Sequence, residues 1–138
     1  MQLNPYLHFK GECEVAFKFY EKALGGKIVD MLPFEGAPSG DIPPEWKKKI
    51  MHALMHIDGQ SLMGTDPTPS YYEQPKGFSV SLQINDPNKA ERVFKELSEN
   101  GQIKMPIQET FWAIKFGMLV DRFGIPWIVN CPKEASSS

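Results

Sequence analysis

Long apolar runs, an excess of basic charge and a disulfide framework are all missing from this 138-residue chain. No stretch approaches the roughly 20 apolar residues of a membrane-spanning helix, and the opening residues lack a secretory-leader pattern. A cytoplasmic protein without a membrane partner is therefore expected. Lysine and arginine number 15 against 17 acidic side chains, a formal charge of −2. A nucleic-acid partner is excluded on that balance, because phosphate recognition needs a basic footprint. The longest cationic run, Lys47-Lys48-Lys49, reads as a solvated turn. The two cysteines, Cys13 and Cys131, form no CxxC pair, which suits a reducing compartment. Cys13 precedes an apparent helix, a place that can lower a thiol pKa, but two incidental thiols is the favoured reading.

Catalytic signatures are scarce too. There is no Gly-x-Ser-x-Gly elbow, no His-Glu-x-x-His, no P-loop, no glycine-rich loop opening a helix, and no serine with a His/Asp partner in view. What remains is an ordinary globular composition, 41% hydrophobic and 23% charged, which excludes a largely disordered chain. A chain of this length buries about 68–70% of its unfolded surface and needs neither metal nor disulfide to fold.

Two segments have helical periodicity. Val15, Ala16, Phe19, Tyr20, Ala23 and Leu24 form one apolar stripe, with Glu12 and Glu14 at its start and Gly25-Gly26 at its end. Ala90, Val93, Phe94 and Leu97 form the other, opened by Asp86-Pro87 and stopped by Asn100-Gly101. The remaining patterned segments read as strands: 6–9, 27–32, 50–57, 60–65, 78–84, 103–108, 113–120 and 127–131. Asp58-Gly59 is a two-residue hairpin signal between two of them. The order is β-α-β-β-β twice, and Tyr6-Leu7-His8-Phe9 aligns with Ser81-Leu82-Gln83-Ile84, so an internal duplication is expected. The modules span about 1–66 and 77–132, within a single domain, 1–138, and a linker covers 67–76. Pro33 to Lys49 should be a long loop or arm, a lid or a dimer contact. The linker stretch from Asp66 to Gly77 carries Tyr71-Tyr72; with Trp46 these rings suit either a pocket closure or a subunit interface. Ala135 to Ser138 reads as a frayed tail.

Tyr6-Leu7-His8-Phe9, Cys13-Glu14, Ala16-Phe17, Phe19-Tyr20, Gly25-Gly26, Ile50-Met51-His52-Ala53, Leu62-Met63, Met105-Pro106-Ile107-Gln108, Thr110-Phe111-Trp112, Phe116-Gly117, Asp121, Phe123-Gly124-Ile125 and Trp127 together cover nearly the whole chain. They resemble the vicinal oxygen chelate superfamily of glyoxalase, bleomycin-resistance and dioxygenase proteins, and within it the PhnB-like branch. The resemblance implies an α+β fold: two tandem βαβββ modules forming a curled mixed sheet around a concave cavity, with helices outside. A runner-up is a pair of ferredoxin-like split βαβ units, disfavoured by the third strand after each helix. The resemblance also implies a divalent metal in active members, held from the first and last strand of each module. It implies no particular reaction.

Carried onto this chain, the first strands supply His8, with Tyr6 beside it, and Ser81 with Gln83. The last strands place Met63 and Ile128 where a glutamate is usual, and neither replaces a hard oxygen ligand. No metal and no cofactor are therefore expected. His52 and His56 share a strand face about 13 Å apart, too far to hold one ion together, and His56 should be exposed. His52 is either an acid-base group facing the cavity or a histidine satisfied by backbone groups. Phe111, Trp112, Phe116, Phe123 and Trp127 either wall an apolar ligand site or belong to the core, and Trp112 is the one expected to reach the pocket.

The function expected is metal-independent binding of a small organic molecule by a homodimer. His8 and His52 are the acid-base candidates; Tyr6, Met63, Ser81, Gln83, Trp112 and Ile128 are the ligand-binding ones. The alternatives are a metal-dependent lyase, isomerase or dioxygenase, and a dimeric interaction module with a vestigial cavity.

Overall fold

A computed structural model describes residues 1–37 and 42–133. The expected frayed tail at 135–138 and the tip of the proline-rich loop at 38–41 lie outside the described residues. The chain divides into two compact units, Met1–Gln74 and Pro75–Ser138. Each runs β-α-β-β-β. The first holds β1 (Tyr6–His8), α1 (Cys13–Leu24), β2 (Lys27–Pro33), β3 (Ile50–Ile57) and β4 (Gln60–Thr65). The second holds β5 (Val80–Gln83), α2 (Pro87–Ser98), β6 (Gln102–Gln108), β7 (Ala113–Val120) and β8 (Pro126–Pro132). The fold is α+β, with two open four-stranded mixed sheets of matching order, β1-β4-β3-β2 and β5-β8-β7-β6. In each, the first strand joins the last in parallel and the other pairs are antiparallel. The parallel pair is the one that requires a long crossover connection, and the helix begins that crossover.

The second helix forms as its sequence directs. The Asp86 carboxylate accepts the Asn88 amide at 3.0 Å, Pro87 occupies the first turn, and Ala90, Val93, Phe94 and Leu97 are buried. The buried face of α1 differs from the expected stripe. Cys13, Ala16, Phe17, Tyr20, Ala23 and Leu24 face inward, whereas Val15 is 60% exposed. The three- and four-residue steps from Cys13 carry that face past Val15. Phe17 and Phe94 each rest on a glycine of the sheet below, Gly64 and Gly117, where an added Cβ would strike the ring. These two contacts set how closely each helix lies on its own sheet.

The helix starts also differ. Glu12 offers no side-chain cap to α1. The Cys13 amide instead donates to the carboxylate of Asp66 at 2.9 Å, and the other oxygen of that carboxylate accepts the Ile50 amide at 3.0 Å. Asp66 is 1% exposed, so it is a buried tie between α1 and β3 and no part of a linker. Burial raises its pKa, opposed by its backbone hydrogen bonds and by Lys49. Its carbonyl accepts the Trp46 indole N–H at 3.0 Å, which holds that ring within the first unit. The described ends of the proline-rich arm are tied as well, Phe34 N to Lys49 O at 3.0 Å and Glu35 N to Lys47 O at 2.8 Å.

In the second unit a buried carboxylate, Asp121, organises the turn between β7 and β8. Its carboxylate accepts the amides of Phe123 and Ile125 at 2.8 and 3.0 Å, and the indole N–H of Trp127 at 2.9 Å. Phe123 and Trp127 are core residues, 7% and 1% exposed. Pro106 lies on the edge strand β6, where a missing N–H costs no ladder bond on the outer side. Val80 begins β5, so Phe78 and Ser79 precede the strand they were expected to open.

Candidate functional site

Strand alternation decides which side chains leave the helix-packed face. In the first sheet Leu7, Ala53, Met55 and Leu62 are buried on the side of α1. Their neighbours Tyr6, His8, His52, Leu54 and Met63 project from the opposite, open face. The register arranges them in rows. Tyr6 is opposite Met63, Met63 opposite Leu54, and Leu54 opposite Asp30. In the next row His8 is opposite Thr65 and His52 is opposite Leu32. Continuing the β3–β4 register one residue beyond Ala53 and Gly64 brings His52 alongside Thr65.

The second sheet repeats both rows with different chemistry. Ser81, Ile128, Met118 and Met105 make one, and Gln83, Asn130, Phe116 and Gln108 the other. Position for position, Tyr6 corresponds to Ser81, His8 to Gln83 and Met63 to Ile128. Thr65 and Asn130 complete the correspondence, and both were missed in the sequence. Counting back from the Asp58-Gly59 hairpin would have placed Thr65 beside His52. The open face of the first sheet carries two imidazoles, a phenol and a carboxylate, whereas that of the second carries amides, a hydroxyl and apolar groups.

Tyr6 is the centre of the first cluster. Its ring lies 5.9 Å from the His8 ring, edge-on, and 6.0 Å from the His52 ring. Its Oη lies 3.4 Å from Nδ1 of His52. Burial raises the Tyr6 pKa, the nearby Cys13 charge adds to that, and a hydrogen bond with the Thr65 hydroxyl opposes it. The phenol therefore keeps its proton. His8 is exposed and His52 partly so, while His56 is exposed at the far end of the strand. The structure thus brings Tyr6, His8, His52 and Met63 onto one face.

In the second unit Ser81 and Gln83 are exposed and Ile128 partly buried, all on one face. The Asn130 amide Nδ2 donates to Gln83 Oε1 at 2.8 Å, and Gln83 Nε2 reaches Ser81 Oγ at 3.4 Å. The oxygen Oδ1 of Asn130 is buried without a hydrogen-bond partner among the described residues. Trp112 is 47% exposed and makes edge contacts with Phe116 and Phe111, ring centroids 5.3 and 4.9 Å apart.

The divalent metal that the resemblance implies does not suit these residues. The first- and last-strand positions offer one imidazole, a thioether, a hydrocarbon, two carboxamides and hydroxyls, with no carboxylate among them. Zinc or iron needs three or four strong donors, and magnesium or manganese needs anionic oxygen. Gln83 Oε1 is already engaged by Asn130. Among the described residues no three His, Cys, Asp or Glu side chains come together as a ligand group. Cys13 offers no reactive thiolate either: burial, then the charges of Asp66 and Glu14, push its thiol pKa upward despite its place at a helix start. No described helix is long and apolar enough to cross a membrane.

Comparison with known proteins gives one family. Residues 2–129 match the model of the Glyoxalase/Bleomycin resistance protein/Dioxygenase superfamily. Protein YjdN of Escherichia coli strain K12 is 36% identical over a 145-position alignment covering 97% of each chain. The crystal structure of protein PA1353 from Pseudomonas aeruginosa superposes with a TM-score of 0.89 at 46% identity, covering 97% of this chain and 99% of that one. A PhnB protein from Bacillus cereus shares the fold at 23% identity, with a TM-score of 0.79 and coverage of 95% and 99%.

Proposed function

Because the chain belongs to the Glyoxalase/Bleomycin resistance protein/Dioxygenase superfamily, we propose that it uses the family's fold to bind a small organic molecule without a divalent metal. The observation that supports this reading is the pair of open sheet faces, furnished with hydrogen-bonding and aromatic groups but lacking a ligand set for a cation. Tyr6, His8 and His52 supply polar contacts and proton-transfer capacity, and Met63 an apolar one. Ser81, Gln83, Ile128 and Trp112 supply amide, hydroxyl and apolar contacts. The buried, unpaired oxygen of Asn130 favours a ligand with a hydrogen-bond donor. Both cysteines are free, which accords with work in the reducing cytoplasm.

Native mass spectrometry of protein purified in the presence of a chelator tests this. The wild type is expected to retain an organic adduct, and His8→Ala and Trp112→Ala each to weaken retention about tenfold or more. Both variants should keep the wild-type oligomeric state. Retention unchanged in both variants would contradict the proposed site.

The exposed ring of Phe111, at 87%, supports a second reading, self-association as a homodimer. In that case Phe111→Ser shifts the sedimentation profile toward monomer while ligand retention is unaffected.

A further inference from the structure

The stop after α2 joins two residues that the fold requires for different reasons. Glu99 (φ −60°, ψ 124°) and Asn100 (φ 58°) are the central residues of a type II turn, closed by the Gly101 N–H donating to the Ser98 carbonyl at 2.9 Å. The third place of such a turn needs a positive φ, which asparagine tolerates better than most residues with a side chain. Gly101 is needed for space, because a Cβ there would run into the Val120 carbonyl oxygen. The result is an exposed Asn-Gly pair, and none of the other asparagines, Asn4, Asn85, Asn88 and Asn130, precedes a glycine. Arg122 closes over the turn from the β7–β8 connection. Its Nη2 donates to the Glu99 carboxylate at 2.8 Å, and its Nε to the Glu99 carbonyl at 3.3 Å.

We propose that Asn100-Gly101 is a deamidation site that the folded turn holds inactive and that reacts when this end of α2 opens. The chemistry needs only water. The Gly101 nitrogen gives its proton to solvent and attacks Cγ of Asn100. The N–Cγ bond forms, the Cγ–Nδ2 bond breaks, and the side-chain nitrogen takes up a proton and leaves as ammonia. Water then adds to either carbonyl of the cyclic imide and reopens it as aspartate or isoaspartate. Glycine is the least obstructive residue to follow the asparagine, since no Cβ shields its nitrogen. In the folded chain the proton of that nitrogen is engaged by Ser98, and the turn fixes the main chain on both sides of Asn100. The Arg122 contacts hold the peptide that leads into it. Either product puts a negative charge at the C-terminal end of α2, next to Glu99, where the helix dipole disfavours it. Isoaspartate also routes the main chain through Cβ, which lengthens the link between α2 and β6 by a carbon atom. A chain that has opened here is thereby marked, and does not close into the same turn again.

Peptide mapping of the chain incubated at mildly alkaline pH, folded and in guanidinium chloride, tests this through the amide-to-acid mass shift at each asparagine. In denaturant Asn100 is expected to convert ahead of every other asparagine, giving both aspartate and isoaspartate. In the folded chain its conversion should be slower by about tenfold or more, because only the locally opened population reacts. Arg122→Ala should speed conversion in the folded chain about threefold, as loss of a surface ion pair and its hydrogen bonds allows, and leave the rate in denaturant unchanged. Glu99→Gln, which removes the charge but not the carbonyl, should act in the same direction and serves where the arginine variant fails to fold. Asn100→Gly keeps the left-handed position and should abolish the shift there. A different asparagine leading in denaturant overturns the site. Equal rates in the folded and denatured chain overturn the protection by the turn. A folded rate unmoved by either clamp substitution overturns the part assigned to Arg122.

Discussion

Asp121→Ala is expected to lower the unfolding free energy of the second unit by about 5 kcal/mol, because it removes the acceptor from three donors at once. The carboxylate is 4% exposed and receives the amides of Phe123 and Ile125 and the indole N–H of Trp127. Water does not replace it for donors that stay buried, and each unsatisfied buried donor costs about 1–3 kcal/mol. Whole domains are stable by only about 5–15 kcal/mol, so the variant should lie near the edge of folding. Asp121→Asn keeps the shape and one acceptor oxygen but cannot serve all three donors, and should lose less. Urea unfolding followed by tryptophan fluorescence measures both. A midpoint for the alanine variant close to that of the wild type would show that the turn is organised by something else.

Asp66→Ala should cost the first unit about 3 kcal/mol, since it leaves the Cys13 and Ile50 amides without their acceptor. The dependence on pH has an unusual sign. Burial holds the folded-state pKa of Asp66 above its ordinary value. The folded state therefore binds a proton at Asp66 more tightly than the unfolded state does. The contribution from this titration is fully present below the ordinary carboxylate pKa and is lost as pH rises through the raised one. The advantage of the wild type over Asp66→Asn should accordingly be larger near about pH 4 than near about pH 7. Paired urea titrations at the two values check this. An advantage that shrinks on acidification would mean that the hydrogen bonds, and not burial, dominate the carboxylate.

How much of this was legible in the sequence follows from how local each signal is. Helix α2 carries its own start, stripe and stop within 16 residues, Asp86 to Gly101, and forms where its sequence places it. Gly25 and Asn100 both adopt the left-handed conformation that follows a helix, as their residue types suggest. A Cβ at Gly101 would run into the Val120 carbonyl, so the stop also serves packing. Helix α1 takes its cap from Asp66, 53 residues away, and no local pattern announces such a bond. Asp66 and Asp121 look in sequence like ordinary turn aspartates, and only the fold buries them. On the open faces, the strand positions carried over from the family resemblance gathered Tyr6, His8 and Met63, and Ser81, Gln83 and Ile128. Thr65 and Asn130 stayed hidden because their role depends on cross-strand register, which alternation alone does not fix. Of the two readings open for the aromatic group, Phe123 and Trp127 take the core one, where the Asp121 carboxylate accepts the Trp127 indole N–H.

Metal content per chain tests the central claim most directly, on protein purified without a metal-affinity tag and equilibrated with zinc, manganese, nickel and iron before desalting. The donor chemistry of the two sheet faces predicts metal well below one ion per chain under every condition, with no change in His8→Ala. Near-stoichiometric metal that disappears on His8 substitution would contradict it and return metal-dependent lyase, isomerase or dioxygenase chemistry to this chain.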